Sequence, residues 1–235
     1  MTTLYLVRHG QASFAAANYD NLSELGHRQA VWLGEHFKAR GIVFSHAVCG
    51  TLDRQRQTAR TLLDAMGSSL PVIEHPGWNE YSGDALYKAY HGEGWARARA
   101  KSDVREFYRT IKLALRDWSE DKLEGDLPET WIEFGERGES AMRAACAGLP
   151  ADAVVLAASS GGTISRVVGG ILQAPAQAAR PSCTSAPGAR CRWTCPSVAT
   201  TSPVSSWLRP STSPRGRAPP SWSHSIAVRR ISAQP

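Results

Sequence analysis

The 235-residue sequence lacks any apolar run of the roughly 18 residues that a membrane-spanning helix requires, so we expect no membrane partner. Its first ten residues, MTTLYLVRHG, lack the basic segment and long apolar stretch of a secretory signal, which indicates a cytoplasmic protein. Because 42% of the residues are hydrophobic and 20% are charged, the composition is typical of a globular domain with a sizeable core.

The last 62 residues, 174–235, contain no Lys, Asp, Glu, Asn, Tyr, Phe or Met, whereas they hold eight Arg and ten of the fourteen Pro. This basic tail has a net charge of +8, so residues 1–173 have a net charge of −2 within a chain total of +6. With many prolines and few apolar runs, the tail cannot bury enough surface to offset the entropy cost of ordering. We therefore predict a disordered tail.

Two other interpretations of the tail stay open. Its abundant Arg, Pro, Ala and Ser have GC-rich codons, and the abrupt change after Gln173 is what reading GC-rich DNA out of frame would produce. An RNA-binding tail is the functional alternative, but it lacks the Lys/Arg clusters and interleaved aromatic residues of such segments. We therefore do not expect nucleic acid as a partner.

The five cysteines do not indicate a disulfide framework. Cys49 and Cys146 lie in segments that are predicted to be core, and an odd count fits reduced thiols. The other three, Cys183, Cys191 and Cys195, lack the CxxC spacing of a zinc site. We predict no bound metal and no cofactor.

Residues 1–173 alternate short apolar strands with helices, which predicts one α/β domain with a largely parallel sheet. The predicted strands are Thr3–Val7, a part of Ile42–Cys49, Pro71–His75 and Ala153–Ala158. The predicted helices are Glu24–Ala39 after an N-cap at Ser23, Leu52–Met66, Thr163–Leu172 and a mostly helical insert at about 81–149. Ligands bind beyond the carboxyl ends of parallel strands, where Arg8-His9-Gly10 and Ser159-Ser160-Gly161-Gly162 are expected.

Five motifs in chain order resemble those of the histidine phosphatase superfamily, also called phosphoglycerate mutase-like. LVRHGQ at the end of the first strand resembles the family signature, and VVLAASSGGT takes the place of its second-histidine turn. The others are LSELGHRQA at 22–30, TLDRQRQTA at 51–59 and WNEY at 78–81. The resemblance covers residues 3–173 and implies a three-layer α/β/α fold whose helical insert covers the active site.

The resemblance also implies phosphoryl transfer through a phosphohistidine. His9 matches the nucleophile, Arg8 and Arg54 match the phosphate-binding arginines, and Glu80 matches the general acid. Their side chains suit these roles, since guanidinium groups bind phosphate oxygens and a carboxyl group can protonate a leaving alkoxide. Gly161 would let the backbone approach phosphate at a helix N-terminus.

One departure from the family pattern concerns the last turn. Ser160 stands where the family commonly has a histidine that contacts the transferring phosphoryl group, although some branches carry a Ser-Gly-Gly turn. A serine hydroxyl still donates a hydrogen bond but brings no charge. We therefore predict that Ser160 binds phosphate and that Ser160→His raises turnover. Gln11 and Asn18, in the loop after His9, are expected to contact substrate.

These features predict a cytoplasmic phosphatase that acts on a small phosphorylated metabolite or a phosphoprotein. A mutase-type phosphoryl transferase and a catalytically weak phosphate-binding protein of the same fold are the alternatives. The candidate residues for substrate recognition lie in the insert. They are Tyr81, Lys88, Tyr90, Trp95, Arg97 and Lys101.

A second departure lies at the C-terminal end. The family has further sheet and helix elements after its last active-site helix, whereas residues 174–235 show no strand alternation. We therefore expect the sheet to lack an edge strand, at a cost in stability.

Overall fold

The computed structural model describes residues 2–13, 20–101, 103–174 and 228–232, the last of these as backbone only. Its five strands are β1 Thr3–Arg8, β2 His46–Cys49, β3 Val72–Glu74, β4 Val154–Ser159 and β5 Val228–Ser232. Its seven α-helices within these ranges are α1 Glu24–Ala39, α2 Asp53–Met66, α3 Gly83–His91, α4 Trp95–Lys101, α5 Val104–Ser119, α6 Trp131–Cys146 and α7 Gly161–Ile171.

The sheet has the strand order β3-β2-β4-β1-β5, and its first four strands are parallel. β1 and β4 are neighbours, and their last residues, Arg8 and Ser159, are register partners. Both strands therefore end at the same edge of the sheet, and the residues that follow them, His9 and Ser160, leave the sheet side by side. The predicted α/β fold with a largely parallel sheet is confirmed.

Side chains of β1 alternate between two apolar cores, one on each face of the sheet. Leu4 and Leu6 pack in a core with Ile164 and Val167 of α7. Val7 points to the opposite core. Its members come from the sheet, α1, α2 and the loop before β2 and include Phe37, Phe44, Leu62, Leu63 and Leu156. Because successive side chains of a strand point to opposite faces of the sheet, β1 packs against the helices on both faces.

Local sequence signals set the ends of several helices. The Ser23 hydroxyl accepts a hydrogen bond from Gly26 N and caps α1, as predicted. Gly67 ends α2 in the left-handed conformation, with φ of 74°. In the insert, Thr130 and Glu133 form a reciprocal capping box at the start of α6.

The insert between β3 and β4 has an apolar core of its own. Its buried members come from α3, α5 and α6 and are Leu86, Tyr87, Ile111, Ala114, Leu115, Trp118, Trp131 and Phe134. Tyr81 packs against this core, with its ring centroid 5.9 Å from Trp118 and 5.8 Å from Phe134. Glu80, the residue before Tyr81, is therefore at the junction between the insert and the sheet.

The C-terminal edge of the sheet differs from the expectation that residues 174–235 supply no strand. Val228–Ser232 pairs antiparallel with β1, where Val228 lies opposite Val7 and Ser232 lies opposite Thr3. The pairing satisfies backbone groups that an edge strand would leave open, so the segment forms a strand although VRRIS does not alternate. The rest of the predicted disordered tail, 175–227 and 233–235, lies outside the described residues. Within the described ranges, no helix combines the length and apolar character needed to cross a membrane.

Candidate active site

His9 follows β1 directly, and its two ring nitrogens have different partners. Nδ1 lies 2.7 Å from the carbonyl oxygen of Gly10, which can only accept, so Nδ1 carries the proton. Nε2 accepts a hydrogen bond from Nε–H of Arg54 over 3.2 Å. The ring is therefore held as one neutral tautomer with the lone pair on Nε2 beside a guanidinium group.

The surroundings of His9 disfavour its protonation. Desolvation by the surrounding protein lowers the pKa of His9 to about 3, with further lowering by the positive charges of Arg8 and Arg54. The Gly10 carbonyl acts in the opposite direction but does not offset these effects. At neutral pH the imidazole is therefore an unprotonated base and a potential nucleophile.

Gly10 allows the loop after β1 to lie against α1. A Cβ atom at this position would lie 2.9 Å from Gly26 Cα, a distance that real Cβ atoms essentially never show. The backbone N–H of Gly10 donates to Oγ1 of Thr58 in α2 over 3.1 Å. The glycine after His9 is therefore needed to seat the loop between α1 and α2.

Arg54 lies in the first turn of α2 and is only 13% exposed. Its Nη1 forms an ion pair with Oδ1 of Asp20. The other carboxylate oxygen of Asp20 accepts from Asp53 N over 2.8 Å, at the helix start where the N-cap Leu52 gives no side-chain bond. Asp20 therefore fixes both the helix start and the guanidinium. Asp20 was not predicted as a site residue, because no local pattern distinguishes it from other loop carboxylates.

Glu80 lies against the N-terminus of α7. Its Oε2 accepts from the backbone N–H of Gly162 over 2.8 Å, and its Oε1 accepts from Tyr81 N over 3.3 Å. Desolvation by burial raises the pKa of Glu80, although the Gly162 N–H and the charges of Arg54 and Arg8 oppose the rise. A side chain on residue 162 would overlap Glu80 Oε1 and the Tyr81 ring, so this position requires glycine.

The nearby acids that could compete with Glu80 for its role lie elsewhere. Glu74, at the end of β3, pairs with Arg56 over 2.8 Å and lies 3.9 Å from Arg60. Asp84 lies in the first turn of α3, beside a cleft of about 190 Å³ that Tyr87, Lys88 and Trp95 also line. Neither the ion pairs of Glu74 nor the cleft beside Asp84 includes Arg54 or His9, whereas the charge of Arg54 acts on Glu80.

Ser160 is fully buried, and its hydroxyl oxygen accepts from Nε2 of Gln55 over 2.8 Å. Gln55 is also fully buried, and the same nitrogen donates to the carbonyl oxygen of Trp78 over 3.1 Å. Gln55 was not predicted as a site residue. The available signal was its place on the buried face of α2, since a buried polar side chain needs a partner.

Gln11 connects the loop after β1 to the start of α1. Its side-chain oxygen accepts from the Ser23 hydroxyl over 2.9 Å, and its backbone carbonyl accepts from Ser23 N over 2.8 Å. Its backbone N–H donates to Gln29 Oε1 over 2.9 Å. The carboxamide oxygen therefore supports the N-cap of α1. Asn18 lies outside the described residues.

Arg8 lies at the end of β1 and faces the turn that begins α7. A Cβ atom on Gly161 would lie 3.5 Å from Nε of Arg8, an ordinary contact distance, so the two residues are neighbours across the sheet edge. The charges of Arg8 and Arg54 both act on His9 and on Glu80. The structure therefore brings these four residues together at the edge of the sheet where the carboxyl ends of β1 and β4 lie.

This arrangement suits an anion. Two guanidinium groups attract negative charge, the Nε2 lone pair can attack an electrophilic centre, and Glu80 can exchange a proton. Among the residues that the structure describes, no three His, Cys, Asp or Glu side chains are grouped so that they could hold a metal ion.

Comparison with known proteins finds relatives of similar sequence and solved structures of similar fold. A 2,3-bisphosphoglycerate-dependent phosphoglycerate mutase of Bartonella quintana is 38% identical over 33% of the chain, and the match covers 41% of that mutase. A probable phosphoglycerate mutase of Erwinia tasmaniensis is 31% identical over 77% of the chain and 79% of its own length. Among solved structures, a mycobacterial glucosyl-3-phosphoglycerate phosphatase has the same fold, with a TM-score of 0.53, 23% identity and coverage of 75% of this chain and 82% of that chain.

The family model described as the histidine phosphatase superfamily (branch 1) matches residues 4–194. This range includes α7, all of β1 except Thr3, and the site residues His9, Arg54 and Glu80. The match extends over well more than half of the sequence, and the chain belongs to the histidine phosphatase superfamily.

Proposed function

We propose that this chain is a phosphomonoester hydrolase that works through a phosphohistidine intermediate on His9. The observation that carries the proposal is the placement of the Nε2 lone pair of His9 beside the Arg54 guanidinium, with the proton of the ring held on Nδ1 by Gly10. A nucleophile for phosphorus needs this unprotonated nitrogen, and the transferring phosphoryl group needs fixed cations around its oxygens.

In the first step, Arg54 transfers its Nε–H hydrogen bond from Nε2 of His9 to a phosphoryl oxygen, and the freed lone pair of Nε2 attacks phosphorus in line while the bond from phosphorus to the leaving oxygen breaks. Arg8 and Arg54 bind the non-bridging oxygens, whose negative charge persists through the transition state. Glu80 gives its proton to the leaving alkoxide, which departs as an alcohol. The raised pKa of Glu80 suits this step, because a larger fraction of the carboxyl group is protonated at a given pH.

In the second step, a water molecule attacks the phosphorus of the phosphohistidine. The carboxylate of Glu80 now accepts a proton from the water, the phosphorus–nitrogen bond breaks, and His9 returns to its neutral form. The products are inorganic phosphate and the original site.

The substrate class that we propose is a small phosphorylated metabolite or a phosphoprotein. Support comes from the name of the mycobacterial structure, a glucosyl-3-phosphoglycerate phosphatase. Mutase-type transfer is the second candidate, because the Erwinia relative named a probable phosphoglycerate mutase aligns over most of both chains. In a mutase, the acceptor of the phosphoryl group is another hydroxyl of the substrate rather than water. Release of inorganic phosphate from 3-phosphoglycerate, against formation of 2-phosphoglycerate, distinguishes the two.

A catalytically weak phosphate-binding protein is the remaining alternative. The specific observation in its favour is that Ser160 supplies a neutral hydroxyl, already bonded to Gln55, at the position of the family's second histidine. Such a protein would bind phosphate at Arg8 and Arg54 without forming a bond to His9.

The deciding experiment is hydrolysis of 4-nitrophenyl phosphate by the wild-type protein, His9→Ala and a matched control, His27→Ala. His27 is exposed on α1, and its Nδ1 lies 3.3 Å from Oγ1 of Thr61 in α2. We expect turnover in the wild type and the control and none in His9→Ala. Labelling with a radioactive phosphoryl donor should give an acid-labile, base-stable adduct only where His9 is present. Phosphate binding without an adduct would favour the weak binding protein.

A further inference from the structure

We propose that Arg137 is a positioning residue for Glu80, so that the helical insert governs protonation of the leaving group; this inference rests on the proposed function. Arg137 lies in α6, and its Nη1 donates to three backbone carbonyl oxygens in the segment just before Glu80. The distances are 3.3 Å to Pro76, 3.1 Å to Gly77 and 2.9 Å to Asn79. One guanidinium group therefore binds three carbonyl oxygens of the turn that precedes Glu80.

Arg137 is itself held in place. Its Nε and Nη2 donate to the two carboxylate oxygens of Glu129 over 2.8 and 2.7 Å, a bidentate pair. The Phe134 ring centroid lies 5.0 Å from the centre of the guanidinium. Both side chains of the ion pair are largely buried, at 25% and 20% exposure. The geometry of the donor is thus fixed by the insert.

The backbone at Asn79 connects Arg137 to Glu80. The Asn79 carbonyl, which forms the peptide bond to Glu80, accepts from Arg137 and also from Oγ1 of Thr163 over 2.7 Å. Beyond this peptide, the Glu80 carboxylate accepts from Gly162 N over 2.8 Å. Arg137 from the insert and Thr163 and Gly162 from α7 therefore fix Glu80 together.

Arg137 acts through the main chain rather than through its charge. The charged groups that act on the Glu80 carboxyl are Arg54 from α2 and Arg8 from β1, and its hydrogen-bond donors are Gly162 N and Tyr81 N. Removal of Arg137 should therefore let the turn shift and weaken the Gly162 bond. Since that bond lowers the pKa of Glu80, its loss should move the pKa further upward.

The test uses two esters that differ in their need for an acid. Expulsion of 4-nitrophenolate needs no proton, whereas β-glycerophosphate must lose an alkoxide. The value of kcat/KM reports the steps up to transfer to His9. We expect Arg137→Met to lower kcat/KM at least about tenfold for β-glycerophosphate and less than about threefold for 4-nitrophenyl phosphate. Glu129→Gln should act in the same direction, and Arg137→Lys should restore part of the loss.

The matched control is Arg143→Met, on the same helix, where an exposed pair with Glu139 lies 3.0 Å apart. Arg143→Met should leave kcat/KM for both esters unchanged. Equal losses on both esters, or no loss on either, would overturn the proposal.

A readout without turnover keeps the inference separate from the proposed function. The pKa of the Glu80 carboxyl, followed by carbon-13 NMR in the full chain, should rise in Arg137→Met and stay constant in Arg143→Met. An inactive wild type would contradict the proposed function, while this titration would still decide whether Arg137 positions Glu80. An unchanged pKa in both variants would overturn the positioning role.

Discussion

The Nε–H group of Arg54 donates to Nε2 of His9 over 3.2 Å. The same guanidinium pairs through Nη1 with Asp20, which also accepts from Asp53 N at the start of α2. The charge of Arg54 adds to desolvation and to the charge of Arg8 in lowering the pKa of His9. In the proposed mechanism, the same guanidinium group binds the phosphoryl oxygens.

The first prediction concerns Arg54→Met. Loss of a fixed cation should lower kcat/KM for 4-nitrophenyl phosphate about a hundred- to a thousandfold, because one stabilising group of the transition state is removed. The pKa of His9 should rise in the same variant, since one of the two charges that lower it is gone.

Steady-state kinetics and NMR titration of the imidazole measure these two effects. Arg60→Met is the control, because Arg60 lies on the same helix but its side chain is 68% exposed. If Arg54→Met and Arg60→Met had equal kcat/KM values, Arg54 would not bind the phosphoryl group.

The second prediction concerns stability against pH. The pKa of His9 is about 3 in the folded chain and 6.5 without perturbation, so between these values the unfolded chain binds a proton that the folded chain does not. The free energy of unfolding should therefore fall as pH drops below 6.5, by up to about 1.4 kcal/mol per pH unit from this residue. In His9→Ala this contribution is absent.

Urea unfolding of both proteins at pH 7, 6 and 5 measures the difference. The wild type should lose more stability than His9→Ala over this range. Equal pH slopes for the two proteins would mean that the imidazole titrates normally in the folded state.

The third prediction concerns Glu80→Gln. Removal of the proposed general acid should lower kcat/KM for β-glycerophosphate by about a hundred- to ten-thousandfold, and much less for 4-nitrophenyl phosphate, whose leaving group needs no proton. With β-glycerophosphate, the wild-type rate should decline as pH rises through the pKa of Glu80, which lies above the ordinary carboxyl value. The pH–rate profile should lack this decline in Glu80→Gln. A decline at the same pH in both proteins would assign it to another group.

Sequence signals that act over a few residues predicted the framework of this site. The strand that ends before His9, the Ser23 cap of α1 and the Gly67 stop of α2 all depend on local periodicity or on one capping residue. The family motifs indicated Arg54 and Glu80 as site residues, and the fold brings both to one strand edge.

The surroundings of those residues could not be predicted in the same way. Glu80 bonds to Gly162 over a separation of 82 residues, and Gln55 bonds to Ser160 over 105 residues. Such contacts depend on how helices pack across the sheet rather than on local propensity. The strand at Val228–Ser232 was missed for the same reason, because an open sheet edge rather than its own sequence pattern accounts for it.

The fourth prediction concerns the effect of Ser160→His on stability and turnover. From the sequence alone, Ser160→His is expected to raise turnover, because an imidazole can bring a positive charge that a hydroxyl lacks. In the structure, Ser160 and Gln55 are both fully buried and in contact, so an imidazole would have to displace the Gln55 carboxamide. Overpacking of this kind costs about 1–3 kcal/mol, so we expect the single variant to be less stable and slower than the wild type.

The double variant Ser160→His/Gln55→Ala should recover both properties, since the carboxamide that is removed is similar in size to what the imidazole adds. The Trp78 carbonyl keeps a partner in it, because the Ser159 hydroxyl donates to the same oxygen over 2.6 Å. Gln55→Ala alone is the control and should lose stability through the cavity it leaves. Thermal unfolding and kcat on 4-nitrophenyl phosphate measure the set. A single Ser160→His variant as stable and active as the wild type would show that the site has room for a second histidine, and that Gln55 does not determine the residue at this turn.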